Sequence, residues 1–186
     1  LIDPATIPEN TPALLFDATK QSFKNDPKGV DLRLTAQGDD SYHLEAVGGA
    51  PYFQWSIKSE LTVNQSDFPV FAMLMKDFWG TEGGIYYCAG EIMSCRDDYK
   101  TSWSIYDDGC QFYGEDEEYV LVVVDLAALE LIDESNSGRI HNIRPFFSVT
   151  DTTDLEACQW DVNFMGFFRS VAEAQAYTSA RLSMEP

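Results

Sequence analysis

Apolar and polar residues alternate with a period of two along much of this chain. In residues 31–36, Leu32 and Leu34 share one face while Arg33 and Thr35 take the other. Residues 42–47 set Tyr42, Leu44 and Ala46 against His43 and Glu45, and Gly48-Gly49 then marks a turn. Residues 52–61 place Phe53, Trp55 and Ile57 inward, with Tyr52, Gln54, Ser56 and Lys58 outward. Successive side chains on a strand leave opposite faces, so this pattern predicts strands buried on one side.

Residues 70–75 are all apolar, and their length and flanking turn residues favour a central strand over a buried helix. Further strands are predicted over 85–92, 101–106, 119–126, 139–149 and 158–168. The run YVLVVVDL at 119–126 is the most β-prone of them. In the last, Cys158, Trp160, Val162 and Phe164 alternate with Gln159, Asp161 and Asn163. Two helices are expected: a short turn over 127–133 and a firmer helix over 171–182. Ser170 and Glu173 supply an S-x-x-E capping box for the second. Eight or nine short strands and one terminal helix predict an all-β fold, an antiparallel β-sandwich of jelly-roll type with a short C-terminal α-helix. A single domain is expected over 13–183. Residues 1–12, with three prolines and no periodicity, read as a linker or trimmed inter-domain segment.

With 186 residues and 45% apolar content, the chain can bury roughly 70% of its unfolded surface and needs no metal or disulfide to hold a core. Twelve Lys and Arg against 31 Asp and Glu leave a net charge of −19. Neutralising phosphates needs clustered cations, so unaided nucleic-acid binding is excluded and attraction to an anionic membrane is disfavoured. No run reaches the 18 or so apolar residues of a membrane helix, since 119–132 is cut by Asp125 and Glu130. The chain opens with neither an initiator Met nor a signal peptide and reads as a processed or excised piece.

Four cysteines, at 88, 95, 110 and 158, allow three pairings. Cys88 with Cys95 would staple a short connection, leaving Cys110 and Cys158 to join two strands; the alternative is four buried free thiols. No C-x-x-C exists, and His43 and His141 lie far from the cysteines, which argues against zinc. Asn64-Gln65-Ser66 is a formal glycosylation acceptor. There is no G-x-S-x-G elbow, and nothing supports a histidine-based nucleophile. The E-x-D-x-x-E run of jelly-roll glucanases needs its first two carboxylates two apart, on one strand face. Here Glu91 is followed by Met93 and Arg96, so no catalytic residue is assigned. Carboxylates paired from different strands would leave no linear pattern.

Asp133-Glu134-Ser135-Asn136-Ser137-Gly138 imitates the first half of a Ca²⁺ loop, but position twelve is Arg144, so an EF-hand is rejected. Asp107-Asp108-Gly109 and 115–118 are other acidic loops that could hold Ca²⁺, or simply carry solvated charge. A structural calcium ion is therefore the one cofactor left open.

Aromatic residues make up 13% of the chain: four Trp, nine Tyr and twelve Phe. Flat rings pack against pyranose C–H faces while Asp, Asn and Gln bond the hydroxyls, and a neutral polysaccharide tolerates the negative charge. Trp55 and Trp160 alternate in phase with apolar neighbours and belong to the core. Trp79 follows a strand in a turn, and Trp103 sits among Thr101, Ser102 and Ser104. Tyr52, Tyr99, Tyr106 and Tyr113 fall on polar faces or in loops. Trp79, Tyr52, Tyr99, Trp103, Tyr106 and Asp108 are the candidate ligand-binding residues.

Ile143-Arg144-Pro145-Phe146, then Trp160-Asp161-Val162-Asn163-Phe164-Met165-Gly166-Phe167-Phe168-Arg169-Ser170 and Val171-Ala172-Glu173-Ala174-Gln175-Ala176-Tyr177, form a familiar series. It resembles the end of a β-sandwich module in large surface or secreted proteins of gut Firmicutes, where a strand "I-D-Y-I-x-F-F" enters a helix "K-T-x-E-E-A". Gly48-Gly49-Ala50-Pro51-Tyr52-Phe53 is similar to the "G-G-D-P-Y" segment of those modules, with Ala50 at the usual Asp position. The resemblance covers about 40 residues well, and its motifs look mainly structural. It implies a galactose-binding-like or carbohydrate-binding-module-like fold. By association with polysaccharide-degrading assemblies, such as the starch-capture proteins of ruminococci, it implies a glycan partner. It transfers no binding residue, because ligand sites on such sandwiches lie in variable loops.

The expected function is that of a non-catalytic carbohydrate-binding module at the cell surface or outside the cell. Its partners would be a polysaccharide or oligosaccharide and other domains of a larger surface protein, without membrane insertion. The alternative is a structural or protein-docking spacer module with no glycan site.

Overall fold

A computed structural model describes residues 1–18, 28–37, 41–129, 132, 137–149 and 153–183. Among them run β1 (Leu14–Asp17), β2 (Lys28–Val30), β3 (Leu32–Gln37), β4 (Ser41–Ala46), β5 (Tyr52–Ser56) and β6 (Val70–Lys76). These are followed by β7 (Glu82–Ala89), β8 (Lys100–Ser104), β9 (Gln111–Tyr113), β10 (Tyr119–Asp125), β11 (Ile140–Phe147), β12 (Gln159–Phe168) and the helix α1 (Val171–Ser183). All ladders are antiparallel. One sheet has the order β3-β4-β12-β6-β10-β9, with β1 also paired to β12; the other is β2-β5-β11-β7-β8. The two sheets make the expected jelly-roll sandwich with a C-terminal helix.

The inward rows meet between the sheets. Phe53, Trp55, Ile85, Tyr87, Ile143 and Phe147 of the five-stranded sheet face Leu44, Phe71, Met73, Val120, Val122 and Trp160 of the larger one. Trp55 and Trp160 are buried, as their phase predicted. Phe147 is central, with ring centroids 4.7 Å from Trp160, 5.9 Å from Phe78 and 6.0 Å from Phe53.

β6 and β10 are buried on both faces, because α1 covers the outer side of the larger sheet. Val70, Ala72, Leu74, Leu121 and Val123 form a second cluster beneath it with Phe164, Phe168 and Ala174. One expectation is corrected here. Phe164 does not share a face with Trp160 and Val162. The β12–β6 register shifts between Val162 and Phe164, leaving Asn163 as an extra residue. This bulge flips the parity of the strand. Trp160, Val162, Met165 and Phe167 point between the sheets, whereas Phe164 and Phe168 point under α1.

The helix is anchored at both ends. The Ser170 hydroxyl accepts from the Glu173 amide at 3.2 Å, and the Glu173 carboxylate turns to Arg169 at 3.4 Å. Near the other end, Arg181 donates to Asp17 at 2.6 Å, to Asn163 and to the Tyr177 hydroxyl. Its environment raises the Arg181 pKa: burial opposes the charge, but the Asp17 bond and the Tyr177 and Asp17 contacts outweigh it.

Strands β1, β2 and β9, of three or four residues, were not expected, being too short to show alternation. Of the short helical turn expected over 127–133, residues 127–129 form a turn in which Asp125 Oδ1 accepts from the Ala127 and Ala128 amides, both at 3.1 Å. Residues 130, 131 and 133 lie outside the described residues. Residues 1–12, expected as a linker, lie along the sandwich. Ile2 N donates to Thr62 O at 2.8 Å, and Arg169 donates to the carbonyls of Pro4, Ile7 and Pro8.

Candidate functional site

The outward row of the five-stranded sheet is not covered by the helix. Tyr52 on β5 lies opposite Phe146 on β11, and Phe146 lies opposite Gly84 on β7. Arg144 stands opposite Tyr86, and Tyr86 opposite Lys100 on β8. The same alternation that buries Phe53, Ile143, Ile85 and Phe147 therefore gathers Tyr52, Arg144, Phe146 and Tyr86 on the outside. The Phe146 ring has room to lie across β7 because position 84 has no side chain: a Cβ there would collide with ring carbons of Phe146. Its centroid lies 5.5 Å from that of Tyr86.

The 90–99 connection raises a wall beside this row. Tyr86 donates its hydroxyl to Asp97 Oδ1 at 3.1 Å, and Tyr99 N donates to Arg96 O at 3.0 Å. Together these residues bound a cleft of about 450 Å³, whose lining includes Tyr52, Tyr86, Phe146, Arg144, Arg96, Asp97 and Cys95.

Cations sit among the rings. The Arg144 guanidinium lies 5.5 Å from the Tyr52 centroid, and Lys100 Nζ lies 5.3 Å and 5.5 Å from those of Tyr86 and Phe146. In a chain of net charge −19, the cleft lining among the described residues holds Arg96 and Arg144 against one carboxylate, Asp97, with Lys100 beside the Tyr86 and Phe146 rings. Arg144 donates to Gln54 Oε1 only at 3.4 Å, while Arg144 Nε and Asn142 Oδ1 are buried without a partner.

Two thiols flank the same wall. Cys88 Sγ and Cys95 Sγ lie 2.9 Å apart. The bond from Cys88 and the nearby Arg144 charge bring the Cys95 pKa down to about 7, against the opposing effect of burial. The same bond, burial and the Cys95 charge push Cys88 well above the ordinary thiol range. Cys110 and Cys158 bond the carbonyls of Ser104 at 3.3 Å and Asp154 at 3.6 Å. None of the four is in a disulfide.

Of the six candidate residues, only Tyr52 lines the cleft. Tyr99 follows the wall but packs edge-on against the buried Tyr87 at 6.1 Å. Trp103 is 2% exposed, so its ring lies in the core and not at the surface. Trp79 is half-buried, with centroids 5.8 Å from Phe78 and 6.3 Å from Trp160. Tyr106 is 75% exposed in the β8–β9 connection, and Asp108 is exposed two residues on. This connection runs beside residue 81, through Ile105 N to Thr81 O, and beside α1, through Gln175 to Gly109 O. The six thus do not converge on one site. The sequence reading missed Tyr86, Asp97, Arg144 and Phe146. The signal was present in Ile143-Arg144-Pro145-Phe146, whose alternation turns Arg144 and Phe146 to the face opposite Ile143.

The histidines are engaged elsewhere. His43 faces Asp161 at 2.8 Å and Gln159 at 3.1 Å on the larger sheet, and His141 bonds Gly90 O at 2.8 Å. Among the described residues, no group of three or more His, Cys, Asp or Glu is placed to hold a metal. Of the calcium-loop candidate, Asp133 to Asn136 lie outside the described residues. Asp107 instead closes its own turn by accepting from Ser104 N at 2.7 Å.

No protein-family model matches the chain, and no curated protein matches it. Among solved structures it is similar to the low-affinity xylan-binding module CBM86 of the gut symbiont Roseburia intestinalis, at 10% identity and a TM-score of 0.49, covering 87% of this chain and 98% of that one. It is also similar to the glycoside hydrolase domain of Endo-D from Streptococcus pneumoniae R6, at 14% identity and a TM-score of 0.45, covering 78% of this chain and 21% of that one. A third is CsCBM6-3 from Clostridium stercorarium in complex with cellobiose, at 12% identity and a TM-score of 0.42, covering 81% and 92%. Each is a likeness in the course of the backbone.

Proposed function

We propose that this chain is a non-catalytic carbohydrate-binding module of an extracellular or cell-surface protein, and that the outer-face cleft is where it takes a neutral polysaccharide. The observation that carries this reading is the row Tyr52, Phe146 and Tyr86, three rings on neighbouring strands beside Arg144 and Asp97. Rings supply flat apolar faces for pyranose C–H groups. Arg144, Arg96 and Asp97 in the lining supply donors and acceptors for the hydroxyls. An open recess of this size holds a few sugar units, so affinity on the order of μM to mM is expected.

The test is affinity electrophoresis and calorimetry on xylan, soluble starch, glucomannan and cello-oligosaccharides, with pectin as an anionic comparator. At least one neutral glycan should bind, and Tyr52→Ala should weaken it about tenfold, the loss of roughly 1.4 kcal/mol. No reducing sugar should be released. If no glycan binds, the proposal is rejected and the spacer reading takes its place.

A further inference from the structure

The turn that walls the cleft begins and ends on a thiol. Cys88 is buried near the end of β7, and Cys95 is half-exposed in the cleft lining. Between them the chain reverses: Gly90 takes a φ of 60°, Gly90 N donates to Arg139 O at 3.0 Å, and Ile92 N donates to Ala89 O at 3.0 Å. The reversal brings the two sulfurs to 2.9 Å. Arg144 acts on both thiols from the cleft floor. The other two cysteines are each held by a backbone carbonyl in a different part of the fold.

We infer that Cys88 and Cys95 are a site of oxidative modification, a dithiol that small disulfides convert to a disulfide tethering the Arg96–Asp97 wall to β7. That the tether tunes glycan binding rests on the cleft reading above; the covalent change does not.

The exposed member reacts first. The Cys95 thiolate attacks one sulfur of a small disulfide RSSR. The S–S bond breaks, a mixed disulfide forms on Cys95, and RS⁻ leaves to take up the proton Cys95 lost. Cys88 then gives up its proton and attacks the Cys95 sulfur, expelling the second RS⁻, which is protonated in turn. Two protein thiols are oxidised, and one RSSR is reduced to two RSH. The order suits the site. Once Cys95 is in the mixed disulfide, the negative sulfur that held the Cys88 proton is gone, while Arg144 still favours the Cys88 thiolate.

The test uses the whole chain with oxidised glutathione near neutral pH, quenched with acid. Intact mass should fall by about 2 Da with the loss of two titratable thiols. The change should vanish in Cys88→Ser and Cys95→Ser and persist in the Cys110→Ser, Cys158→Ser double variant. Oxidation should slow amide exchange across residues 90–98 several-fold and raise Tm by about 5 °C or more, both reversed by dithiothreitol. Three outcomes overturn the inference: no reaction, a lasting glutathione adduct without ring closure, or mass loss that survives in either single variant. A disulfide that leaves exchange at 90–98 unchanged overturns the tether. Failure of every glycan to bind would sink the cleft reading while leaving the mass and exchange results standing.

Discussion

Phe146 faces Gly84 across the β11–β7 ladder, and its ring occupies the space that a side chain at position 84 would need. The cleft floor thus depends on a missing methyl group. In Gly84→Ala the added Cβ would meet both the ring and the Thr101 carbonyl. The ring is expected to leave its place beside Tyr86, glycan affinity to fall about tenfold or more, and stability to drop by about 1–3 kcal/mol. Calorimetric binding and urea unfolding of the same variant would separate the two effects. Unchanged binding in a folded variant would show that the ring is not part of the site.

The Arg181–Asp17 pair should be the tie that seats the helix. Its side chains are 14% and 7% exposed, so neither partner can recover full hydration if the other is lost. Asp17→Asn leaves a cation that burial penalises and that the Asn163 and Tyr177 oxygens only partly compensate. A loss of about 3 kcal/mol is expected in denaturant unfolding. A loss below about 0.5 kcal/mol would place the anchor elsewhere.

Cys95 should alkylate at neutral pH. The thiolate is the nucleophile, and this pKa is lowered from 9.0 to about 7. The iodoacetamide rate at Cys95, followed by peptide mass mapping, should therefore be high above pH 7 and fall away as the pH drops through 7. An ordinary thiol would lose reactivity two units higher. Cys88→Ala removes the S–H donor that contributes most to the shift and should move the midpoint upward. A midpoint near 9 in the unaltered chain would contradict the thiol contact.

Tryptophan fluorescence should be nearly blind to the ligand. Trp55, Trp103 and Trp160 are buried, Trp79 packs on the core, and no indole lines the cleft. Acrylamide quenching should be weak, and a saturating oligosaccharide should leave the emission maximum in place. A ligand-dependent shift would redirect attention to the 77–81 turn around Trp79.

The sandwich was legible because alternation is written residue by residue. β4 and β5 each bury the face that their pattern marked, and the continuous apolar run of β10 is buried on both. β12 was legible only to Val162, because the Asn163 bulge is set by pairing with β6 and by the Arg181 bond, neither of which leaves a local mark. The candidate site was read less well for a related reason. Ring type alone marks a tyrosine or tryptophan among polar residues as a platform, yet Trp103 belongs to the core row of β8. The rings that converge come from the outward positions of three strands, adjacent in space but far apart in sequence. Tyr52 was found because it stood on a polar face. Phe146 was passed over because an outward phenylalanine reads as core unless the phase of its own strand is followed through Arg144.

The bulge in β12 makes one strand serve two interiors, so α1 is not an appendage. Any shortened version ending before Val171 would turn Val70, Leu74, Leu121, Phe164 and Phe168 toward water as one contiguous greasy plate. Such a truncation should self-associate even with its cleft intact, and the boundary for any excised fragment belongs beyond Arg181.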